Sequence, residues 1–211
     1  LLGPNGAGKS TLFSIISGLA SADKGSCLIN DFDISKKPVQ ALKNLGIVFQ
    51  QSTIDMDLTV LENLLFHARL QGLNLKITKE IIFNELNNYK LTSKIDSKVR
   101  ILSGGEKRKV ELIRALLHNP SMILMDEPTV GLDPSSRADL LNKIISLRSK
   151  NRLSILWATH LVDEAQKADK IIVLNKGKVI EIGSPEKIIT ITKENNLERA
   201  FFKLIRKDEN E

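Results

Sequence analysis

Nine consecutive residues, Gly3-Pro4-Asn5-Gly6-Ala7-Gly8-Lys9-Ser10-Thr11, satisfy the spacing G-x-x-x-x-G-K-[ST]. Glycines at these places let the backbone wrap a phosphate chain, so that successive N–H groups point at its oxygens without a side chain between them. The helix that follows aims its positive end at the same charge. Lys9 has the length and charge to reach a β- or γ-phosphate, and the Ser10 hydroxyl suits Mg²⁺. With glycine at roughly 7% of residues, a chance match in a chain of this length is on the order of one in a hundred. A phosphate loop is therefore a better reading than a glycine-rich turn ahead of a helix.

Two further stretches carry groups of the same kind. The apolar run Met122-Ile123-Leu124-Met125 ends in Asp126-Glu127. At the tip of a strand, the first carboxylate can hold Mg²⁺ through its water shell, and the second can orient and deprotonate a water for in-line attack on a γ-phosphate. A strand ending in two acids is by itself an ordinary loop start; after a phosphate loop it becomes a second half-site. Leu102-Ser103-Gly104-Gly105-Glu106 opens a helix running to about Leu117, with Pro120 beyond. Ser103 and Glu106 have the spacing of a capping box, which alone predicts a well-capped helix. The adjacent glycines leave N–H groups bare at the positive end of that helix, which makes an anion site. One chain then holds two anion sites, at Gly3–Thr11 and at Ser103–Gly105.

The elements that must position these groups alternate between strand and helix, which predicts an α/β domain with a mainly parallel sheet. A helix over Gly8–Ser17 stops at Gly18. Cys27–Ile29 and Ile47–Phe49 read as strands. From Ser52 to Leu102 helices dominate: Thr59-Val60-Leu61-Glu62 is a capping box opening a helix that Gly72 closes, and a second helix covers Lys79–Asn88. The strand pattern returns at Met122–Asp126. A helix over Ser136–Ser149 then carries Leu140, Leu141, Ile144, Ile145 and Leu147 on an apolar face, and a strand follows at Ser154–Ala158. Lys170–Leu174 and Lys178–Ile182 flank Asn175-Lys176-Gly177, a hairpin signal. A last helix spans Asn196–Arg206. The pattern divides the chain into a core of residues 1–51 and 119–189, an inserted helical block of residues 52–118 and a short helical extension, 190–211.

Composition narrows the class. The 211 residues are 42% hydrophobic and 27% charged, ordinary for a globular domain with a substantial core. No apolar run approaches the roughly 18 residues needed to span a bilayer, and no secretory signal is visible. A single cysteine, Cys27, rules out an internal disulfide framework and reads as a buried strand residue rather than a reactive thiol, which fits a reducing cytosol. The net charge of +6 invites a nucleic-acid reading. Yet the basic residues are scattered among acids, Lys107-Arg108-Lys109 is the only compact run, and one Trp and one Tyr give no base-stacking surface. A solvated Lys-rich surface is expected, with no direct contact to nucleic acid. His67 and His118 are expected on helix surfaces.

Taken in order, these motifs resemble those of the nucleotide-binding subunits of ABC transporters, over essentially the whole chain. GPNGAGKST is similar to Walker A, Gln50 to the Q-loop glutamine, LSGGE to the signature, and Ile123–Glu127 to Walker B with its catalytic glutamate. Gly131-Leu132-Asp133 resembles the D-loop and Thr159-His160 the switch histidine. The resemblance implies a P-loop NTPase (RecA-like) core with an inserted ABC α-helical subdomain, and it implies ATP and Mg²⁺ as ligands. It also implies two such subunits paired head to tail, with Ser103, Gly105 and Asp133 working across the interface on nucleotide held by the partner. Gly3–Thr11 and Gly104 would line nucleotide; Ser10, Gln50 and Asp126 would serve the metal; Glu127, His160 and Gln50 would act on the γ-phosphate and attacking water.

The stretches VFQQSTIDMDLTVLENLLFHARLQG and WATHLVDEA, with the ending NNLERAFFKL, resemble exporter ATPases of the drug-resistance type. The implied protein is peripheral on the cytoplasmic face of the plasma membrane, held there by separate integral permease subunits. The alternative is a non-transport ABC ATPase acting on the ribosome or nucleic acid. Two departures stand out. Glu106 occupies the place of the usual glutamine, its charge expected to be offset by Lys107 and Arg108. The chain also begins at Leu1, so the strand that delivers the phosphate loop, and the aromatic that stacks on adenine, are expected ahead of it.

Overall fold

The computed structural model describes residues 1–151 and 153–210, with side chains for all of these except 148–151 and 209–210. Arg152 and Glu211, which the division into core and extension includes, lie outside the described residues. In chain order the first elements are α1 (Lys9–Ile16), β1 (Leu28–Ile29), β2 (Phe32–Asp33), α2 (Pro38–Leu42), β3 (Leu45–Val48), α3 (Val60–Leu70), α4 (Leu75–Asn88) and two single turns of 3₁₀ helix. There follow α5 (Gly104–Leu116), β4 (Met122–Asp126), α6 (Pro134–Asn151), β5 (Ser154–Ala158), α7 (Val162–Ala165), β6 (Ile171–Asn175), β7 (Lys178–Gly183), α8 (Pro185–Thr192) and α9 (Leu197–Asn210). Two compact units contain them: Leu1–Ser21 with Leu156–Glu211, and Ala22–Ile155.

In the first unit the start of the chain takes a strand position. Leu2 forms parallel bridges to Thr159 on one side and Val173 on the other. Its N–H donates to Ile172 O (2.9 Å), its carbonyl accepts from Leu174 N (2.8 Å), and Gly3 N donates to Thr159 O (3.3 Å). The expectation placed the strand that delivers the phosphate loop ahead of Leu1; Leu1–Gly3 already supply a hydrogen-bonded approach to the loop. β6 and β7 pair antiparallel through the expected hairpin, with Lys176 at φ 46° and Gly177 at φ 78°, the backbone of a two-residue primed turn. Leu2, Ile171, Val173, Ile188, Leu197, Ala200 and Phe201 form the core of this unit. α8 is absent from the sequence expectation although its signals are present: Ser184 caps it through Lys187 N, and Pro185 occupies its first turn.

In the second unit β3 and β4 run parallel in the register Leu45↔Met122 to Val48↔Met125. α5 packs against β3, α3, α4 and α6, so the signature helix lies at the centre of this unit. Leu64, Ile82, Leu86, Leu112, Ile113, Ile123 and Leu124 are fully buried there. Both predicted capping boxes form, Thr59 with Glu62 and Ser103 with Glu106. α4 starts a turn earlier than expected because Asn74 accepts from Lys76 N and Ile77 N. Cys27 is half-buried just ahead of β1 rather than within a strand. Burial and the charge of Asp33 push its thiol pKa up, away from a reactive thiolate.

Candidate nucleotide site

The phosphate loop is shaped by its glycines. A Cβ on Gly3 would lie 2.4 Å from the carbonyl oxygen of Leu174, so only glycine lets the loop leave the sheet so close to β6. Gly8, the N-cap of α1, has φ 100°, which an L side chain rarely adopts. Lys9 is buried, and its Nζ donates to the carbonyls of Gly3 (2.8 Å) and Pro4 (3.0 Å). The ammonium therefore lies against the loop itself, at the N-terminal end of an eight-residue helix. Asn5, Gly6, Ser10 and Thr11 are exposed, Ala7 is buried, and Ala7 O accepts from Gly177 N (2.9 Å), tying the loop to the β6–β7 turn.

His160 belongs to the same unit. The residue before it is fixed from three directions: Thr159 N donates to Leu1 O (2.9 Å), its Oγ1 to the Glu164 carboxylate (2.6 Å), and its carbonyl accepts from Gly3 N. Thr159 Oγ1 also accepts from Leu161 N (3.0 Å). The backbone on both sides of His160 is thereby held, and its ring is half-buried.

The remaining site residues lie in the second unit. Asp126 ends β4 and is buried, as is Glu127 immediately beyond it. Glu127 has φ 45°, a left-handed conformation costing about 1–3 kcal/mol in a residue other than glycine, and one that clusters at functional sites. Its carboxylate accepts a hydrogen bond from Gln50 Nε2 at 3.1 Å. Two residues separated widely in sequence are thus brought within hydrogen-bonding distance. The left-handed backbone has no signature in the sequence.

The signature residues are placed by packing as much as by capping. Ser103 and Gly104 are exposed and Gly105 is buried. Ser103 Oγ accepts from Glu106 N (3.2 Å) while the Glu106 carboxylate accepts from Ser103 N (2.8 Å). Glu106 is therefore spent on its own helix end. Gly105 lies against α6, where a Cβ would come 2.7 Å from Ser136 Oγ; its lack of a side chain serves this contact as well as any anion. Asp133 is exposed and caps α6, its carboxylate accepting from Ser136 N (3.0 Å). A hydrogen bond from the Ser136 side chain, and after it the one from Ser136 N, hold its pKa below the usual carboxylate range.

Two expectations are corrected. Arg108 does not offset Glu106 from a solvated surface: it is 8% exposed and turned toward residues 49–50 and Glu111. Charges at i, i+3 and i+6, here Arg108, Glu111 and Arg114, signalled one shared helix face, but the sequence could not show what that face meets. His67 and His118 do not stand alone on helix surfaces. Their rings are 6.3 Å apart and half-buried, with His118 Nε2 within 3.1 Å of Leu45 O. Burial lowers the pKa of both, that of His67 to about 4 with Arg114 and His118 adding to the effect.

The donors present fit a polyphosphate and a hard cation. The loop offers N–H groups at a helix start, an ammonium beside them, and an open face at Gly6, where a Cβ would meet nothing within 4 Å. In the first unit Ser10 offers a hydroxyl oxygen, and in the second Asp126 and Gln50 offer carboxylate and amide oxygens, each the ligand type Mg²⁺ takes. Among the described residues there is no cluster of three or more His, Cys, Asp or Glu, and Mg²⁺ commonly binds through one or two carboxylates together with substrate phosphates.

Comparison with known proteins decides the family. The model of the ABC transporter family matches residues 1–130. The chain belongs to the ABC transporter family. The chain is 38% identical to the Nod factor export ATP-binding protein I of Rhizobium sp. (strain N33), covering 90% of this chain and 62% of that protein. It is 37% identical to the linearmycin resistance ATP-binding protein LnrL of Bacillus subtilis (strain 168), over 87% of this chain and 59% of the relative. The chain thus spans about three fifths of the length of these curated relatives. A solved ATP binding subunit of an ABC transporter superposes with a TM-score of 0.85 at 27% identity, over 96% of this chain and 85% of that one. cbiO1 of Clostridium perfringens, part of the ABC transporter complex cbiONQ, superposes with a TM-score of 0.80 at 28% identity, over 90% of this chain and 77% of that one. The α/β fold of this ABC protein is accordingly that of a P-loop NTPase.

Proposed function

We propose that this ABC protein is the ATP-binding and ATP-hydrolysing subunit of an exporter, working head to tail with a second nucleotide-binding subunit beneath separate membrane-embedded permease subunits. The observation that carries the hydrolytic part is the buried carboxylate of Glu127, held at the tip of β4 by Gln50. A buried carboxylate held by a neighbouring amide and set by a left-handed backbone suits a base that must orient a water in line with the γ-phosphate. Lys9 and the loop Gly3–Thr11 hold the triphosphate, and His160 contacts the γ-phosphate side. Ser10, Asp126 and Gln50 would hold Mg²⁺, which would supply positive charge to the triphosphate. Ser103, Gly104, Gly105 and Asp133 complete the partner's site. Export is supported by the relatives, which are named for Nod factor export and linearmycin resistance. Residues 1–51 with 119–189 form the nucleotide core in this reading, and 52–118 is the block that passes motion to the permease. Among the described residues no helix is long and apolar enough to cross a membrane. In this reading the permease subunits hold the protein on the cytoplasmic face of the membrane.

The test is Glu127→Gln in the intact protein. Turnover should fall by roughly 10²–10⁴, with ATP binding retained and the closed pair of subunits accumulating. Near-normal hydrolysis would remove Glu127 from the role of base.

A further inference from the structure

The segment that carries Gln50 is tied to the signature helix by a set of hydrogen bonds that neither motif predicts. Arg108 donates to the carbonyls of Phe49 (2.6 Å) and Gln50 (2.9 Å) and to the Glu111 carboxylate (2.7 Å). The other oxygen of Glu111 accepts from Thr53 N (3.1 Å). One turn further along α5, Arg114 donates to Thr53 O (2.8 Å) and to Thr53 Oγ1. The side chains of Arg108 and Glu111 are 9% and 3% exposed. A desolvated ion pair is weak ground for stability against an apolar replacement of similar size. Its value here lies in geometry: the planar guanidinium fixes two consecutive carbonyls at once, and between those bonds sits the residue whose amide holds Glu127 at 3.1 Å.

We infer that Arg108 and Glu111 are positioning residues for hydrolysis. They lock the backbone of residues 49–53 to α5, so that Gln50, and through it Glu127, moves with the helix whose first residues are Ser103–Gly105. This rests on the reading of Glu127 as base given above. Under it, engagement of the signature by the partner's nucleotide is reported to the carboxylate through one rigid helix, from Ser103 to Arg108 in less than two turns. In that reading Lys9 and its loop hold the triphosphate, whereas the bonds of the clamp go to residues 49–53, so the clamp should govern the rate of the chemical step rather than the affinity for ATP.

The experiment is steady-state ATP turnover and ATP affinity of the intact protein carrying Arg108→Met, Arg108→Lys or the pair Arg108→Met/Glu111→Leu, with Glu127→Gln alongside. Loss of the fork should lower kcat by about 10- to 100-fold, the scale of a misplacement near 1 Å, with KM for ATP within about twofold of wild type. Lys should recover part of the rate, since it keeps the charge and one donor. Arg108→Met leaves the Glu111 charge buried and unpaired and can unfold the unit. The double variant removes both charges; it should melt like wild type and still turn over slowly. A double variant that melts and turns over like wild type, while Glu127→Gln is dead, would overturn the positioning role and leave the base intact. If Glu127→Gln itself turns over normally, the underlying reading is what has failed.

Discussion

At the scale of single residues, the signature of this chain shows one position answering to two demands. Gly105 lies at the positive end of α5, where a bare N–H suits an anion, but its missing side chain is also required by Ser136, whose Oγ and Cβ would lie 2.7 and 2.9 Å from a Cβ built there. Gly105→Ala should therefore destabilise the fold by about 1–3 kcal/mol through overpacking, before any nucleotide is added. A lowered urea midpoint in the ligand-free protein checks this, and Ser136→Gly in the same chain should restore the midpoint. If restored stability does not restore turnover, the glycine is needed for the nucleotide as well. The same care applies to Asp133, which caps α6 through Ser136 N: Asp133→Ala is expected to cost about 1 kcal/mol from the lost cap alone. A turnover defect there means an interface role only if it exceeds the effect of an Asn in the same place, which keeps the cap.

Among the elements, what the sequence revealed and what it hid divide along local and long-range interactions. Thr59 with Glu62, Ser103 with Glu106 and the turn at Lys176-Gly177 are local devices, and each is where its residue types put it. Leu102-Ser103-Gly104-Gly105-Glu106 and Met122–Glu127 are likewise legible as a capped, glycine-rich helix start and an acid-tipped strand. The burial of Arg108 was not, because its partners are the carbonyls of residues far away in sequence. Nor was the meeting of His67 on α3 with His118, just beyond the end of α5. That meeting has a consequence in acid. The pKa of His67 falls from its ordinary 6.5 to about 4, chiefly through burial, with the Arg114 and His118 charges adding to it. The folded state thus resists protonation that the unfolded chain accepts. Stability is intact above pH 6.5 and declines as pH falls from 6.5 toward about 4. The urea midpoint should drop across that window, and His67→Gln should flatten the drop. A slope unchanged by the substitution would show that other groups carry it.

The whole molecule is reached by adding a second copy. Gly3–Thr11 and Ser103–Gly105 are the two anion sites proposed for one chain, and family resemblance assigns them to different nucleotides, each site shared by two subunits. Mixing separates this from a site complete in one chain. Lys9→Ala removes the ammonium that lies on the loop carbonyls of its own unit. Ser103→Phe sets a bulky side chain at an exposed helix start, where a partner's phosphate would approach. Each variant alone should be nearly inactive. In a dimer of the two, one site has both defects, and the other joins an intact loop from the Ser103→Phe copy to an intact signature from the Lys9→Ala copy. Equal amounts that exchange freely should therefore recover about a quarter of wild-type turnover, because half of the dimers are mixed and each has one whole site. Dilution should abolish the recovery by separating the subunits. A mixture no more active than its components, in subunits shown to exchange, would mean that loop and signature of the same chain serve the same nucleotide. It would then be the head-to-tail pairing that fails, with the chemistry assigned to Glu127 left standing.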